Sequence, residues 1–572
     1  MQKLVNSIQG LQVDFSHEYL TSQIIAYIGN KRKLLPLIHR GIVEIVEGKP
    51  SGELFIDLFA GSGSVSRLAR VMGFSVWAND WEEYSYIINS AYICTNQSEL
   101  YRIFAVDGGI DAVISYLNAL PDPPPGERYI SRYYSAFSND INKADFRKER
   151  LFYTRYNGLA IDKLRNGIDK LYPPGTGDPV VEKKRQLLIA VLLYKAATHT
   201  NTSGVFKAYH KGFGGHGKDA LSRILKPIRL EVPVLIDSPY FCTASKEDAN
   251  YLIKKLGDFH PYIVYIDPPY RQHQYGSNYH LLNTIALWDK PGFELEYNER
   301  GELKDKAGIR RDWVKTRSRY CYREEAEKAF RELIESIDAP YILLSYSTEG
   351  IIPFEIIHEI CISRGDVRIL TEEYVKYRGG KQSNTRTNKN VEFLLIIDTR
   401  KKISGVNLKK NRMLIMSRKL NILFDSKFSR KKLAEKFPLE GSYLIVDLPS
   451  GRYRIDTNYF FVLKKPDFID VISYSEMEFL YENLSFCICR NREEELEVIL
   501  DNITGEDEKS IYFAGFLPRT LKKLAHKKYR DVFYRLYQLI EEKLMNLAHP
   551  VFQDILRKLE DIRRLAEKRF NN

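Results

Sequence analysis

The segment ELFIDLFAGSGSVSRLARVMGFSVWANDWEEYS, residues 53–85, constrains the fold more than any other stretch of the chain. It reads as an apolar strand ending near Asp57, a turn at Gly61 and Gly63, a helix from about Ser64 and a second short strand ending near Asp80. Glycine lets a chain turn this sharply and lets a ligand approach the backbone closely. A strand, glycine turn, helix and strand in succession form the nucleoside-binding half of a doubly wound α/β sheet, and an acid closing the second strand can accept hydrogen bonds from two ribose hydroxyls. The spacing Phe59-x-Gly61-x-Gly63 lacks the third glycine of a dinucleotide fingerprint. A nucleoside without a pyrophosphate is therefore expected, which points to S-adenosylmethionine. Taken alone, a Gly-x-Gly marks only a tight strand-to-helix turn, so a second site has to carry the reading.

That second site is Asp267-Pro268-Pro269-Tyr270, delivered by the apolar run PYIVYI. Prolines fix φ and carry no N–H, so Pro268 and Pro269 end a strand ladder and leave backbone carbonyls as acceptors. Beside them stand the Asp267 carboxylate and the flat Tyr270 ring. Acceptors for two N–H bonds and a stacking face are what a planar amine needs. Ordinary turn chemistry accounts for Asp-Pro-Pro equally well if the tetrad is read by itself.

A chain of 572 residues is expected to hold two or three domains. Its formal net charge is +12, and the part after Arg400 has 33 basic and 25 acidic residues, so +8 of the excess sits there. Such a surface attracts polyanions. The six cysteines lack zinc-type spacing, and Cys487 and Cys489 would share one face of a strand; they read as reduced and structural. No ligand cluster calls for a metal. The start MQKLVNSIQGLQVDF lacks a signal pattern and no apolar run is long enough to span a bilayer, so a cytoplasmic protein is expected.

Four segments, IAYIGNKRKLLPLI, IDLFAGSGSVS with AND, RLFYTRYNGLAIDKLR followed by NTSGVFKAYHKGFGG, and YIDPPY, occur in the order that defines one group of enzymes. Over about residues 20–400, ending in VEFLLIID, the chain resembles the Dam-like, alpha-group DNA adenine methyltransferases of the Asp-Pro-Pro-Tyr type. The resemblance implies a Rossmann-like methyltransferase core at 21–100 and 245–400, interrupted by a target-recognition insertion at 101–244. Residues 1–20 read as a loosely held arm, 401–414 as a linker, and 415–572 as a separate basic α+β domain of open role.

It further implies transfer of a methyl group to N6 of an adenine swung out of duplex DNA, in a restriction-modification or epigenetic context. Asp267 and the Pro268 carbonyl would accept the amine hydrogens, with Pro269 and Tyr270 completing the catalytic tetrad. Tyr27, Gly29 and Lys31 belong to an element that closes over the cofactor, with Tyr27 packing on it and Lys31 meeting its carboxylate. Asp57, Phe59, Gly61, Gly63, Asp80, Asp248 and Asp267 complete that set, Asp248 lying near the adenine amino group or acting as a plain helix cap. DNA contacts are expected from Arg155, Asn157, Arg165, Lys207, Lys211 and Lys218. The loop GGKQSNTRTNKN adds Lys381 and Arg386, and Tyr275 and Tyr279 would grip the extruded base under a helical lid. Duplex DNA is the expected partner, with a cognate restriction endonuclease as a possible second one; oligomeric state and target sequence stay open. Two rivals stand beside this reading: a non-catalytic DNA-binding subunit with a methyltransferase fold, and a methyltransferase acting on RNA.

Overall fold

The computed structural model describes residues 12–46, 48, 50–215, 218–292, 294–347, 350–375 and 389–570. The first unit forms as the local pattern dictates: β1 spans Leu54–Asp57, a helix Ser64–Met72, and β2 Ser75–Asn79. Gly63 opens that helix at φ 76° and Gly73 closes it at φ 99°, both left-handed conformations that favour glycine. β3 (Cys242–Ser245), β4 (Ile263–Ile266), β5 (Tyr341–Ser347), β6 (Asp366–Val375) and β7 (Lys389–Asp398) complete a seven-stranded sheet in the order β3-β2-β1-β4-β5-β7-β6.

β1 to β5 pair in parallel, while β7 runs antiparallel between β5 and β6. A parallel sheet is covered on both faces and reads as continuous apolar runs. β4 and β5 fit this rule, each buried along its whole length. One face packs on Leu35, Ile38, Leu68 and Met72, the other on Phe330, Leu333, Ile357 and Ile360.

Between β2 and β3 the chain builds a separate helical core. Its long helices are Arg155–Leu171, capped by the Thr154 hydroxyl, and Pro179–Thr198, capped by Asp178 with proline at the first helical position. Helix His280–Leu287, expected as a lid, is instead built into this core with most of its residues buried. The arm reading also needs correction, since Tyr19 and Leu20 are buried and the Tyr19 hydroxyl donates to the Tyr92 carbonyl at 2.7 Å. Two consecutive apolar residues preceding the first motif were the signal for that anchorage.

A second compact unit begins at Gly405. The stretch read as a linker to residue 414 is largely helix, Gly405–Phe424, because the polar face of KKISGVNLKKNR hides Met416, Leu420 and Leu423 a turn further on. Strands β8 (Leu439–Glu440), β9 (Tyr443–Leu448), β10 (Gly451–Asn458) and β11 (Val462–Leu463) form an antiparallel sheet, with helices that include Arg530–Met545 and Pro550–Phe570. Cys487 ends helix Tyr474–Cys487 rather than sharing a strand with Cys489. All six cysteines are free thiols.

Candidate active site

The carboxyl ends of the parallel strands converge on one cleft, as ligand sites in open α/β sheets do. It encloses about 710 Å³ of non-atom space, part of it open to solvent. Leu58 and Phe59 after β1, Asp80, Trp81 and Glu82 after β2, Glu247 and Asp248 after β3, and the whole tetrad Asp267–Tyr270 after β4 line it. Tyr27, Gly29, Tyr275, Thr316, Ser318 and Tyr320 also contribute to its lining.

Four residues assigned to cofactor contact make close contacts within the chain and are not among those that line the cleft. The Gly61 amide donates to Asp80 Oδ2 at 2.8 Å, and a Cβ on Gly61 would sit 2.9 Å from the Tyr27 ring. On Gly63 it would meet Asn89 Oδ1 at 2.6 Å. Close packing within the chain is thus what demands both glycines. Asp57 is buried, accepting from the Ser66 hydroxyl at 2.7 Å through Oδ2 while Oδ1 finds no partner. Burial pushes its carboxyl up to about 7, against the pull of Ser66. Its job is to tie β1 to the helix beyond the turn.

Lys31 is the fourth. Its side chain is 4% exposed and its ammonium lies 3.0 Å from Asp267 Oδ1 and 3.7 Å from Glu392 Oε2, 5.1 Å above the Tyr270 ring. Burial works against that charge, but Asp267, Tyr270 and Glu392 together hold its pKa well above the ordinary lysine value. A side chain so placed serves the Asp267 carboxylate. Burial raises Asp267 to about 6, with Lys31 opposing.

Asp80 accepts from the Gly61 and Glu82 amides, one on each oxygen, and lines the cleft. Asp248 lines the cleft and caps helix Ala249–Leu252, accepting from the Tyr251 amide at 3.0 Å. Tyr27 stacks on Tyr275 and Tyr279, with ring centroids 5.1 and 4.9 Å apart.

Of the tyrosines expected to grip a base, Tyr275 lines the cleft and donates to the Ile28 carbonyl at 3.1 Å. Tyr279 does not: it is fully buried, and its hydroxyl accepts from the Ile28 amide at 2.7 Å. The expected DNA contacts divide in the same way. Asn157 is buried, bonded to the Ile224 and Lys226 carbonyls and the Ile228 amide. Arg165 is buried too, donating to the Ile285 carbonyl at 2.8 Å and pairing with Asp169. Neither can reach a phosphate.

Arg155 is half-buried and spends one N–H on the Ser131 carbonyl at 2.7 Å, whereas Lys207, Lys211 and Lys218 are exposed. Lys381 and Arg386 lie outside the described residues. Truncation of Arg165 to Ala is expected to destabilise the protein by about 3 kcal/mol, because the Ile285 and Ala286 carbonyls lose a buried donor and the side chain leaves a cavity, while Asp169 keeps Arg185. Urea melts read that loss, and an unchanged midpoint would restore Arg165 to the list of surface cations.

Glu82, Tyr320 and Glu392 were not found from sequence. Glu82 sits two residues past Asp80, is 4% exposed, accepts from Asn283 at 2.6 Å, and is pushed up to about 7 by burial. An acid so close to Asp80 was a usable signal. Nothing local marks Tyr320, which meets the Phe59 ring edge-on at 5.4 Å, or Glu392 on β7.

Comparison with known proteins bears on this arrangement directly. A family model described as D12 class N6 adenine-specific DNA methyltransferase matches residues 27–342, spanning the glycine turn, the inserted helices and the tetrad. The chain belongs to that family. The Type II methyltransferase M.NlaIII of Neisseria lactamica is 33% identical over 375 residues, covering 65% of this chain and 98% of that protein. M.FokI of Planomicrobium okeanokoites is 33% identical over 360 residues, covering 62% of the chain and 49% of its own length. Modification methylase StsI of Streptococcus sanguinis is 30% identical over 380 residues, covering 66% and 52%. This D12-class chain is accordingly an enzyme, a DNA adenine methyltransferase, and the family match stops before the second unit begins.

Proposed function

We propose that the cleft transfers the methyl group of S-adenosylmethionine to N6 of an adenine extruded from duplex DNA, with Asp267-Pro268-Pro269-Tyr270 as the catalytic tetrad. The observation that carries this reading is the Asp267 carboxylate at the end of β4, held beside a buried ammonium and opening on the same cleft as Asp80. The donor set fits the cofactor: Asp80 for ribose hydroxyls, and Phe59, Trp81 and Tyr320 as faces for its adenine. When bound, S-adenosylmethionine supplies an electrophilic methyl group on a cationic sulfur.

The chain's residues do the rest. Adenine's amino lone pair is delocalised into the ring and nucleophilic only when the amine is turned. Asp267 Oδ2 and the Pro268 carbonyl accept its two hydrogens, orienting the lone pair toward the methyl group. Lys31 holds Oδ1 and keeps Asp267 ionised despite its burial. Tyr270 stacks on the base. Extrusion of the adenine costs a few kcal/mol, offset by stacking and by phosphate contacts. Lys207, Lys211 and Lys218, all exposed, are the cations placed to make such contacts from the inserted region.

Labelled methyl transfer to mixed-sequence duplex DNA, followed by nucleoside analysis, tests this reading. N6-methyladenine in DNA is expected; label confined to RNA would sink it, as would cofactor binding with no transfer. Asp80→Ala should weaken cofactor binding roughly 10- to 100-fold, the value of hydrogen bonds to a charged group. Calorimetric titration checks this, and unchanged affinity would remove Asp80 from the ribose. A restriction endonuclease as working partner and a prokaryotic cytoplasm as setting belong to the same proposal, supported by two relatives that carry the name Type II methyltransferase. No helix among the described residues is long and apolar enough to cross a membrane. The second unit, with its excess positive charge, extends the DNA footprint. Truncation at residue 404 should flatten the salt dependence of DNA binding, each lost phosphate contact removing about 0.9 from the log–log slope.

A further inference from the structure

Glu392 lies far from the tetrad in sequence, yet the reversed direction of β7 brings it to the carboxyl edge of the sheet, opposite Ser347 at the end of β5. It is 5% exposed. Oε1 accepts from the Tyr270 hydroxyl at 3.3 Å, and Oε2 lies 3.7 Å from the Lys31 ammonium. We infer that Glu392 is a positioning residue for the target base: it tethers the Tyr270 ring through its hydroxyl and shares Lys31 with Asp267. This inference rests on the tetrad reading above.

Two features argue for it. A buried carboxylate is costly unless paired, and the partners Glu392 has found are two groups of the tetrad's own surroundings, Lys31 and Tyr270. Its hydroxyl contact is long, as catalytic hydrogen bonds often are before substrate binds, and a base pressed on the ring would shorten it. The ring also meets Tyr346 edge-on at 5.6 Å, so one side is packed while the hydroxyl end is fixed by charge.

The second consequence is electrostatic. Two carboxylates share one ammonium, leaving a surplus negative charge. The groups facing Asp267 are Lys31, Glu392, Tyr270, Tyr265 on β4, Asp57 at the end of β1 and Tyr275 across the cleft. Burial raises the Asp267 carboxyl, Lys31 lowers it, and Glu392 adds to the rise. Removing the Glu392 charge must therefore lower it, moving the acid limb of the pH–rate profile down.

The experiment measures kcat and KM for labelled methyl transfer to mixed-sequence duplex DNA between pH 5 and 9. It uses the full chain and the variants Glu392→Gln, Glu392→Ala and Tyr270→Phe. Glu392→Gln keeps an acceptor for the hydroxyl and loses the charge, so its acid limb is expected roughly half a unit or more below that of the parent. Glu392→Ala loses tether and charge and should lower kcat on the order of tenfold. Tyr270→Phe should lower kcat without moving the limb. Joined with Glu392→Ala it should add little, because both remove the same contact. An acid limb unmoved in Glu392→Gln, or losses that multiply in the double variant, overturns the inference and reduces Glu392 to a packing residue. Should the unaltered protein leave adenine unmethylated, the tetrad reading itself falls, which is a distinct result.

Discussion

Asp267→Ala should lower methyl transfer on the order of 10³-fold, the scale seen when a preorganised polar contact to the reacting group is removed. The loss belongs in kcat and kcat/KM alike, because the carboxylate's work is to orient the amine as it reacts. Lys31 retains Glu392 as a partner, so the variant should fold, and DNA binding should survive. Asp267→Asn is the sharper probe: it keeps an acceptor for the amine and surrenders the charge that Lys31 balances. Single-turnover transfer and gel-shift titration on the same preparations separate the two effects. Activity within tenfold of the parent in Asp267→Ala would remove the tetrad from the mechanism.

Replacing Asp57 with Asn should stabilise the protein at pH 8, by up to about 4 kcal/mol, with the gain fading on acidification. The sign follows from the raised carboxyl, up from 3.8 to about 7. In the unfolded chain Asp57 ionises from about pH 4, whereas the folded protein resists until about pH 7. Stability therefore falls as pH rises through that window, at about 1.4 kcal/mol per unit, and stays depressed above it. Asparagine has no such charge. Urea melts at pH 8 and pH 4.5 test this, and a gain equal at both would show that burial is not the cause. The same substitution loosens the link to Ser66 that shapes the glycine turn, so cofactor affinity should fall while stability rises.

What was legible in the sequence was local. The glycine turn, the strand ends at Asp57 and just before Asp80, the Asp248 cap and the tetrad all follow from residues within a few positions of one another, where strand period and turn chemistry act directly. Misreadings came where burial decides. Arg165, Asn157 and Tyr279 have the chemistry of DNA-contacting residues, but helix Arg155–Leu171 turns the first two inward and Tyr279 is buried just ahead of helix His280–Leu287. Lys31 was assigned by position in a motif, and its ion pair with Asp267 could be seen only once the sheet had brought the two together. Glu392 was invisible for the same reason.

The reversed strand β7 also sets a schedule for synthesis. The tetrad leaves the ribosome long before Lys389–Asp398, so a nascent chain holds Asp267 and Lys31 without the counter-carboxylate and without the strand that separates β5 from β6. Domains fold as units once their last element emerges. If Glu392 positions Tyr270 as inferred, the site is complete only once the chain through Glu392 has cleared the ribosome, which delays methylation by this chain until its catalytic unit is whole.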